Sequence, residues 1–312
     1  MLRVLTYHRV APITSRPRLD PRNISAVPEE FRRQLRYLKK SWQVVSLDEV
    51  RDAVLGEGKL PSRAVLITFD DGYRDFLDHA WPVLDSLGLP ATMFVPTGFP
   101  DRPSRTFWSD RLWRAFTRAP LQVFQLPEIG PLRLTTPPER QASLRRFQRY
   151  LKSLPHVEAA ALVHRICVEL GPEEEQPADV LSWEQLRGLA ARGLAICPHS
   201  RSHALLTRLS PEMAEAEIAG SLSDLRRELG GVEPVFCYPN GSHDDAVVDA
   251  AVRAGIRLAF TTMDGHNLPA SADPLRLRRT NITRRTTVSL LGLRLTRWGA
   301  MIDRFRHRRR AS

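Results

Sequence analysis

Short apolar runs alternate with amphipathic stretches along most of the chain. Val65 to Phe69 is an apolar, β-branched run of the kind that forms a parallel strand buried on both faces. Pro28 to Lys39 instead carries apolar residues at helical intervals behind an acidic start. This pattern predicts strands and helices in alternation.

Six or seven strand-and-helix repeats follow from the pattern. The predicted strands are 2–7, 44–45, 65–69, 91–96, 194–197, 235–238 and 256–261. The predicted helices are 28–39, 47–55, 73–87, 182–192, 211–229 and 244–254. Because strands that alternate with helices build parallel sheets, we expect an α/β fold, a distorted (β/α)7-type barrel with parallel strands.

The alternation is interrupted between about residues 100 and 180. The predicted elements there are a helix near Trp108, a hairpin at 121–134, helices at about 138–152 and 156–170, and an acidic linker at 172–175. We interpret this segment as a mainly helical cap that is inserted into the barrel.

Composition indicates a globular chain. The 312 residues are 42% hydrophobic and 26% charged, which is enough apolar material for a sizeable core. No apolar run approaches the roughly 18 residues of a membrane span, and the first residues enter a strand at once, so we expect no signal peptide. Cys167, Cys197 and Cys237 show neither metal nor redox spacing. We therefore expect a reducing, cytoplasmic setting.

The net charge of +11 is concentrated at the C-terminal end. Twelve of the 46 basic residues and one of the 35 acidic residues lie in 276–312, which leaves 34 of each sign elsewhere. A neutral body argues against nucleic-acid binding. We divide the chain into a barrel domain, 1–283, and a basic amphipathic extension, 284–312. The extension fits either peripheral contact with the anionic inner membrane surface or a last helix docked on the barrel.

Two adjacent carboxylates stand at the carboxyl end of the strand 65–69. Asp70 and Asp71 follow it directly, and Gly72 permits a sharp turn. Charges are costly to desolvate, so a metal ligand beside a general base is one interpretation of the pair. A plain turn is the other, because Asp-Asp-Gly is ordinary loop chemistry.

Two histidines follow another predicted strand, 194–197. His199 and His203 are four residues apart, and such a pair can face the same way on one helical turn and bind one metal ion. The carboxyl ends of parallel strands meet at one edge, where α/β proteins place their sites. We therefore expect the histidines to lie close to Asp70 and Asp71.

An Asp and two His leave coordination positions open, which is the pattern of catalytic metal sites. A metal held there would polarise a carbonyl and lower the pKa of its bound water, and the second carboxylate would take the proton. The sequence therefore predicts metal-assisted hydrolysis of an amide or ester.

Two motifs resemble a known family. Thr68-Phe69-Asp70-Asp71-Gly72 and His199-Ser200-Arg201-Ser202-His203 are similar to the first two signature motifs of the polysaccharide deacetylases, which are metal-dependent N-deacetylases. The resemblance continues through 236–241 and 277–281, and Leu5-Thr6-Tyr7-His8 resembles the start of a subgroup that includes exopolysaccharide N-acetylglucosamine deacetylases. It covers most of 1–98 and 180–283.

The resemblance implies a role for each matching residue. Asp70 would be the general base, and the metal ligands, usually to zinc, would be Asp71, His199 and His203. The strand end 236–241 would supply a substrate wall made of Tyr238, Pro239 and Asn240, with the backbone N–H near Asn240 as an oxyanion donor.

The chain departs from the family pattern at three places. The usual Arg that orients the base would fall at Cys237, and a common Tyr would fall at Asn240. We expect Arg279 to supply the missing guanidinium from another strand end. The C-terminal Leu-x-Ile-His motif, the usual source of the general acid, is absent from the sequence. His8 is our first candidate for the acid and His266, which would also contact substrate, the second; a hydrogen-bonded core or turn residue is the alternative for each.

Aromatic residues suggest a sugar contact. Trp108 lies beside Phe107 and could stack on a sugar ring, although helical spacing with Trp113 also fits a packed core. We expect a hydrolase that removes acetyl from an N-acetylated sugar or glycan, including lipid-linked ones. A hydrolase of a non-sugar amide or cyclic imide and a catalytically idle carbohydrate-binding protein are the alternatives.

Overall fold

The computed structural model describes residues 1–13, 19–102, 104–120, 122–171 and 179–296, and the structural statements below concern these residues. The strands are β1 (Arg3–Tyr7), β2 (Arg9–Val10), β3 (Ile24–Ala26), β4 (Gln43–Val44), β5 (Ala64–Phe69), β6 (Thr92–Val95), β7 (Val123–Leu126), β8 (Gly130–Arg133), β9 (Ala195–Pro198), β10 (Val235–Cys237), β11 (Leu258–Phe260) and β12 (Thr280–Asn281). The helices are α1 (Pro28–Ser41), α2 (Leu47–Val54), α3 (Trp81–Leu87), α4 (Trp108–Arg118), α5 (Pro137–Leu151), α6 (His156–Glu169), α7 (Trp183–Ala190), α8 (Pro211–Leu229), α9 (Asp245–Arg253) and α10 (Val288–Arg294).

Parallel strands form the centre of the molecule. The path of hydrogen-bonded neighbours is β12–β1–β5–β6–β9, with β4 paired to the start of β5. β10 and β11 form a second parallel pair, and a bridge between Phe260 and Leu277 links that pair towards β12. Within the described ranges no ladder joins β9 to β10, so these eight strands form two separate sheets. The predicted parallel α/β architecture is confirmed.

Buried strands and capped helices follow from local sequence. All six residues of β5 are buried, which is why the run lacks polar alternation. Ser182 and Gln185 form the predicted capping box at the start of α7, each side chain pairing with the backbone N–H of the other residue. Ser210 accepts a hydrogen bond from the backbone N–H of Met213 and begins α8.

The predicted helix 73–87 begins later than its sequence pattern suggests. Asp75 is fully buried, and its carboxylate accepts hydrogen bonds from Arg9 Nη1 and from the backbone N–H of Val10. These bonds hold the first residues in a loop. A π-helical turn at Phe76–Ala80 then leads into α3.

The cap consists of α4, α5, α6 and the β7–β8 hairpin, as the sequence predicts. It has a hydrophobic core of its own, to which Phe116, Phe147 and Ile166 contribute, and Trp113 belongs to that core. The predicted acidic linker at 172–175 lies outside the described residues. Because the cap has its own hydrophobic core, the segment can be inserted between barrel elements without changing how those elements pack.

One buried arginine ties the cap to the barrel. Arg9 donates hydrogen bonds to Asp75, to Asp110 of α4 and to Asp179, and its guanidinium lies 3.5 Å from the ring centroid of Tyr73. Arg9, Asp75 and Asp110 are at most 1% exposed. Removing one partner would leave buried charge uncompensated, so this cluster fixes the position of α4 beside the barrel edge.

The described part of the C-terminal extension packs on the barrel. Leu291 and Leu295 are fully buried in the main core, and the carbonyl of Leu295 accepts a hydrogen bond from Arg3 Nε. For α10, docking is therefore the observed arrangement. The predicted amphipathic continuation, which includes Trp298 and the arginines at 308–310, lies outside the described residues. Among the described helices, none combines the length and the apolar character that crossing a bilayer requires.

Candidate active site

The two acidic residues leave β5 in different directions. The backbone N–H of Asp70 donates to the carbonyl of Tyr7, so Asp70 continues the pairing with β1. Asp71 follows with φ 75° and Gly72 with φ 65°, both in the left-handed region. A left-handed Asp costs backbone energy and is concentrated at functional sites. The turn places both carboxylates at the carboxyl edge of the parallel strands, 3% and 5% exposed.

The two histidines lie on a loop, and the expectation of a helical turn between them is wrong. Ser200 and His203 have φ 61° and 58°, both in the left-handed region, so the segment is not a right-handed helical turn. The carboxylate of Glu217 accepts hydrogen bonds of 2.8 Å from the backbone N–H groups of Arg201 and Ser202. These N–H groups are therefore engaged by a side chain of α8 and cannot form a helical ladder.

A second carboxylate of α8 braces the same loop. Asp224 accepts hydrogen bonds from Thr97 Oγ1, from Arg201 Nε and Nη2, and from Arg227 Nη1. Burial acts to raise the pKa of Asp224, but these donors outweigh burial and lower it. The folded protein therefore favours the ionised carboxylate.

We predict that Asp224→Asn lowers the free energy of unfolding at pH 7 by about 1 kcal/mol. The folded-state pKa lies below the unfolded value, so the wild-type advantage is full above the ordinary aspartate pKa and is lost as pH falls through the folded value. Urea unfolding between pH 7 and pH 3 measures the difference. Asp249→Asn, an exposed site on α9, is the control. A difference that stays constant down to pH 3 would contradict the assignment.

Asp71 and the two histidines converge on one point. Oδ1 of Asp71 lies 3.6 Å from His199 Nε2 and 3.2 Å from His203 Nε2, and the three donor atoms lie within 4.8 Å of one another. His199 Nδ1 lies 2.7 Å from the carbonyl of Cys237 and donates to it, because a carbonyl only accepts. The Nε2 lone pair of His199 therefore faces a carboxylate oxygen.

This arrangement fits a cation. Oδ1 of Asp71 is buried and has no hydrogen-bond partner among the described residues, although two imidazole nitrogens lie beside it. The Nε2 lone pair of His199 repels this carboxylate oxygen unless a positive charge lies between them. One carboxylate and two imidazoles at this separation are a donor set suited to Zn²⁺ with positions left open.

The protonation states suit metal binding. Burial lowers the pKa of His199 to about 4, so its ring is neutral near pH 7. Burial alone would raise the pKa of Asp71, but His203 and the neighbouring imidazoles hold it well below its usual range. Metal ligands must be deprotonated, and these two side chains already are.

Asp70 forms a salt bridge with Arg279 and is not one of the three residues of the metal donor set with Asp71. Arg279 Nη1 and Nη2 lie 2.8 Å from Oδ1 and 2.7 Å from Oδ2 of Asp70, a bidentate pair in which both side chains are buried. Arg279 Nε donates to the carbonyl of Thr261, which fixes the guanidinium. Burial acts to raise the pKa of Asp70, but the pairing with Arg279 outweighs burial and lowers it.

Cys237 occupies the position where the family pattern would place an arginine. Its Sγ lies 3.8 Å from Oδ2 of Asp70, and burial raises the thiol pKa well above its usual value. Asp70, His199 and Cys237 also lie within 4.8 Å of one another. A neutral thiol and a carboxylate already paired with Arg279 are poor metal donors, so the donor set with Asp71 is the better one.

A cavity of about 530 Å³ opens over these groups. Its lining includes His8, Trp108 and Asn240 together with the two acidic residues and both histidines. His8 is half-buried at the end of β1, and Asn240 has φ 53° on the loop after β10. The structure therefore brings these three predicted residues to the site.

Three other predicted residues do not line this cavity. Tyr238 and Pro239 are buried in the loop after β10, and the Tyr238 ring stacks on His243 at 5.3 Å. His266 lies beside Asn267, which pairs with Leu2 at the amino end of β1, and its Nε2 is 3.2 Å from the carbonyl of Arg294. The turn that carries His266 is thus at the opposite end of β1 from His8.

Phe107, a member of the aromatic cluster that the sequence suggested as a sugar contact, also lines the cavity, whereas basic residues of the cap were not expected there. Phe107 lies edge-on to His203 with ring centroids 5.2 Å apart and limits the imidazole's movement. The cap adds Arg145, Arg149 and Lys152 from α5 and its C-terminal cap position. Their spacing of four and three residues was a signal of a common helical face, but the sequence did not indicate which way that face points.

The fold and the donor set define a class of protein: a parallel α/β chain with a candidate mononuclear metal centre at the carboxyl edge of its strands. The sequence profile described as polysaccharide deacetylase matches residues 57–259. The chain therefore belongs to the polysaccharide deacetylase family.

Individual relatives are similar over parts of the sequence. The poly-β-1,6-N-acetyl-D-glucosamine N-deacetylase of Escherichia coli K12 is 36% identical over 80 residues, which is 25% of this chain and 12% of that protein. The enzyme of the same name from Staphylococcus epidermidis is 36% identical over 77 residues, 24% of this chain and 26% of its own length. The matched segments thus span about a quarter or less of these relatives.

Solved structures share the fold over nearly the whole chain. The Streptococcus pyogenes deacetylase PplD, in complex with acetate, superposes with a TM-score of 0.66 at 20% identity and covers 95% of this chain and 98% of that one. IcaB from Ammonifex degensii superposes with a TM-score of 0.62 at 21% identity and covers 96% and 97%. At this identity the likeness establishes the architecture.

Proposed function

We propose that the chain is a metal-dependent hydrolase that releases acetate from an N-acetylated sugar or glycan of the N-acetylglucosamine type. The observation that carries the proposal is the placement of the Asp70–Arg279 pair beside the donor set of Asp71, His199 and His203 in one cavity. Family membership and the activities by which the relatives are named support the choice of substrate.

The proposed metal ligands are Asp71, His199 and His203. A divalent cation bound there, which we propose to be Zn²⁺, would polarise the substrate carbonyl and activate a water molecule. The carbonyl of Cys237 keeps the His199 ring in the tautomer whose Nε2 can bind a cation.

Asp70 is the proposed general base. Arg279 donates to each carboxylate oxygen and the Cys237 thiol also contacts Oδ2, so Oδ1 keeps a second acceptor site for the proton of the attacking water. The lowered pKa keeps the group ionised and ready to accept. Arg279 touches the base and not the substrate, so we propose that it positions the base.

His8 is the proposed general acid. Among the described residues, it is the histidine of this cavity that lies outside the metal donor set. It stands at the end of β1, the strand that pairs with β5, and its half-buried ring faces the same space as Asp70 and Asp71. An imidazolium there can give its proton to the amine as the amide bond breaks.

The test compares substrates on the zinc-loaded full chain. We expect acetate and a free amino sugar in equal amounts from N-acetylglucosamine oligosaccharides, and no hydrolysis of small non-sugar amides or cyclic imides. Hydrolysis of the imides without acetate release from any N-acetylated sugar would overturn the substrate assignment. Saccharide binding without turnover of any substrate would instead identify a carbohydrate-binding protein.

A further inference from the structure

One face of the cap helix α5 brings positive charge into the candidate active site. Arg145, Arg149 and Lys152 are spaced by four and three residues, so their side chains leave the helix on the same side. All three line the 530 Å³ cavity that also contains Asp70 and Asp71. We call these three residues the basic wall.

The cavity offers the basic wall no neutralising partner. Arg145 and Arg149 form no ion pair or side-chain hydrogen bond with any residue that the structure describes. The other acidic residue of the lining, Asp20, is taken by Arg22 through a short contact to the guanidinium. Asp70 is paired with Arg279, and Asp71 belongs to the metal donor set with His199 and His203. Two arginines therefore line the site without an acidic partner among the described residues.

Lys152 extends the basic wall to the barrel side. Its Nζ lies 3.3 Å from Oδ1 of Asn240, on the loop that follows β10, so the cation spans the gap between cap and barrel. Burial lowers the pKa of Lys152, and the positive charge of Arg22 lowers it further. Like charges held this close are unfavourable unless an anion comes between them.

Guanidinium groups are suited to one kind of ligand group. The planar fork of an arginine binds the paired oxygens of a phosphate or a carboxylate, and two arginines one helical turn apart can share one such anion. A neutral polymer of N-acetylglucosamine offers these groups hydroxyl and amide oxygens but no negative charge. The charge distribution of the cavity thus distinguishes between a neutral and an anionic substrate.

We infer that the substrate is an anionic N-acetylated sugar, whose phosphate or carboxylate group binds the basic wall while its acetamido group lies at the metal donor set. This inference rests on the proposed deacetylation and adds the substrate class. A phosphate would belong to a sugar phosphate or a phosphate-linked carrier, and a carboxylate would belong to a uronate.

Calorimetric binding to the zinc-loaded full chain tests the inference without requiring turnover. The probes are N-acetylglucosamine, N-acetylglucosamine 1-phosphate and the uronate of N-acetylglucosamine. We expect at least one anionic probe to bind tenfold or more tightly than the neutral sugar, with the advantage shrinking as salt is added. The probe that gains affinity identifies the anion as phosphate or carboxylate.

Variants assign the gain to the basic wall. Arg145→Gln/Arg149→Gln is expected to lose most of the tenfold advantage. Both residues are exposed and lack a described partner, so the double variant should fold normally. The matched control is Arg36→Gln/Arg133→Gln, which removes the same charge at exposed positions on α1 and β8 outside the cavity, and it should keep the advantage.

Two results would overturn the inference. One is equal affinity for neutral and anionic probes. The other is an advantage that survives in Arg145→Gln/Arg149→Gln, which would place the anion on the metal instead of on the arginines. Failure of the proposed deacetylation would be seen separately, as the absence of acetate release, because binding is measured directly.

Discussion

Asp70→Asn is expected to lower kcat for acetate release by about 10²- to 10⁴-fold, the usual contribution of a positioned general base. The amide keeps the shape of the carboxylate but cannot take a proton from water. Zinc binding should be retained, because Asp70 lies outside the donor set of Asp71, His199 and His203. Steady-state kinetics and metal analysis of the purified variant measure the two effects independently.

The same substitution should also destabilise the protein. Arg279 is 1% exposed and would lose its charged partner, and breaking a buried pair on one side costs about 3–5 kcal/mol. The double variant Asp70→Asn/Arg279→Met removes both charges, so it should recover part of the stability and none of the activity. Asp249→Asn makes the same chemical change on the surface and should alter neither. Activity near the wild-type level in Asp70→Asn would refute the general-base assignment.

The nearness of the two motifs could be predicted because it depends on topology. Asp71 and His199 each end a parallel strand, and β5 and β9 are separated only by β6, so their carboxyl ends must share an edge. Arg279 is a different case, because it precedes β12 at the amino end of that strand and only its long side chain brings the guanidinium to Asp70. The parallel strands therefore determined the approximate position of the two motifs before their side-chain geometry was known.

What could not be predicted depends on loops and on long-range packing. The path between His199 and His203 is set by Glu217 and Asp224, which lie on α8 and carry no local signal in the loop. The spacing of Arg145 and Arg149 defined a helical face, but the direction of that face is fixed by the cap core and by the Arg9 cluster. In both cases the residues that fix the geometry are far along the sequence from the residues that they position.

His266 illustrates the limit of arguing from residue type alone. A family general acid was missing, and any histidine on a turn was then a candidate. The turn at 264–267 returns to the amino end of β1, because Asn267 exchanges backbone hydrogen bonds with Leu2. His8 stands at the other end of that strand. The pairing of Asn267 with Leu2, which the sequence did not indicate, separates the two candidates better than their chemistry does.

Asp71→Ala is expected to abolish zinc binding and, with it, the stabilisation that zinc gives the folded chain. At a free zinc concentration 100 times the dissociation constant, a ligand that binds only the folded state adds about 2.7 kcal/mol to the free energy of unfolding. Wild-type protein should therefore melt at a higher temperature with zinc than with chelator. Asp71→Ala should melt at the same temperature with zinc and with chelator. The substitution removes only the Asp71 carboxylate and leaves the Asp70–Arg279 pair intact.

Calorimetry should give one zinc per wild-type chain, none for Asp71→Ala and a much weaker site for His199→Ala. His164→Ala, at an exposed position on α6, should bind zinc like the wild type and serves as the histidine control. An unchanged zinc response in Asp71→Ala would place the ion elsewhere. The buried Oδ1 of Asp71, facing the lone pair of His199, would then need another compensating charge, since burial without one is unfavourable. Zinc titration therefore tests the electrostatic argument for the site directly.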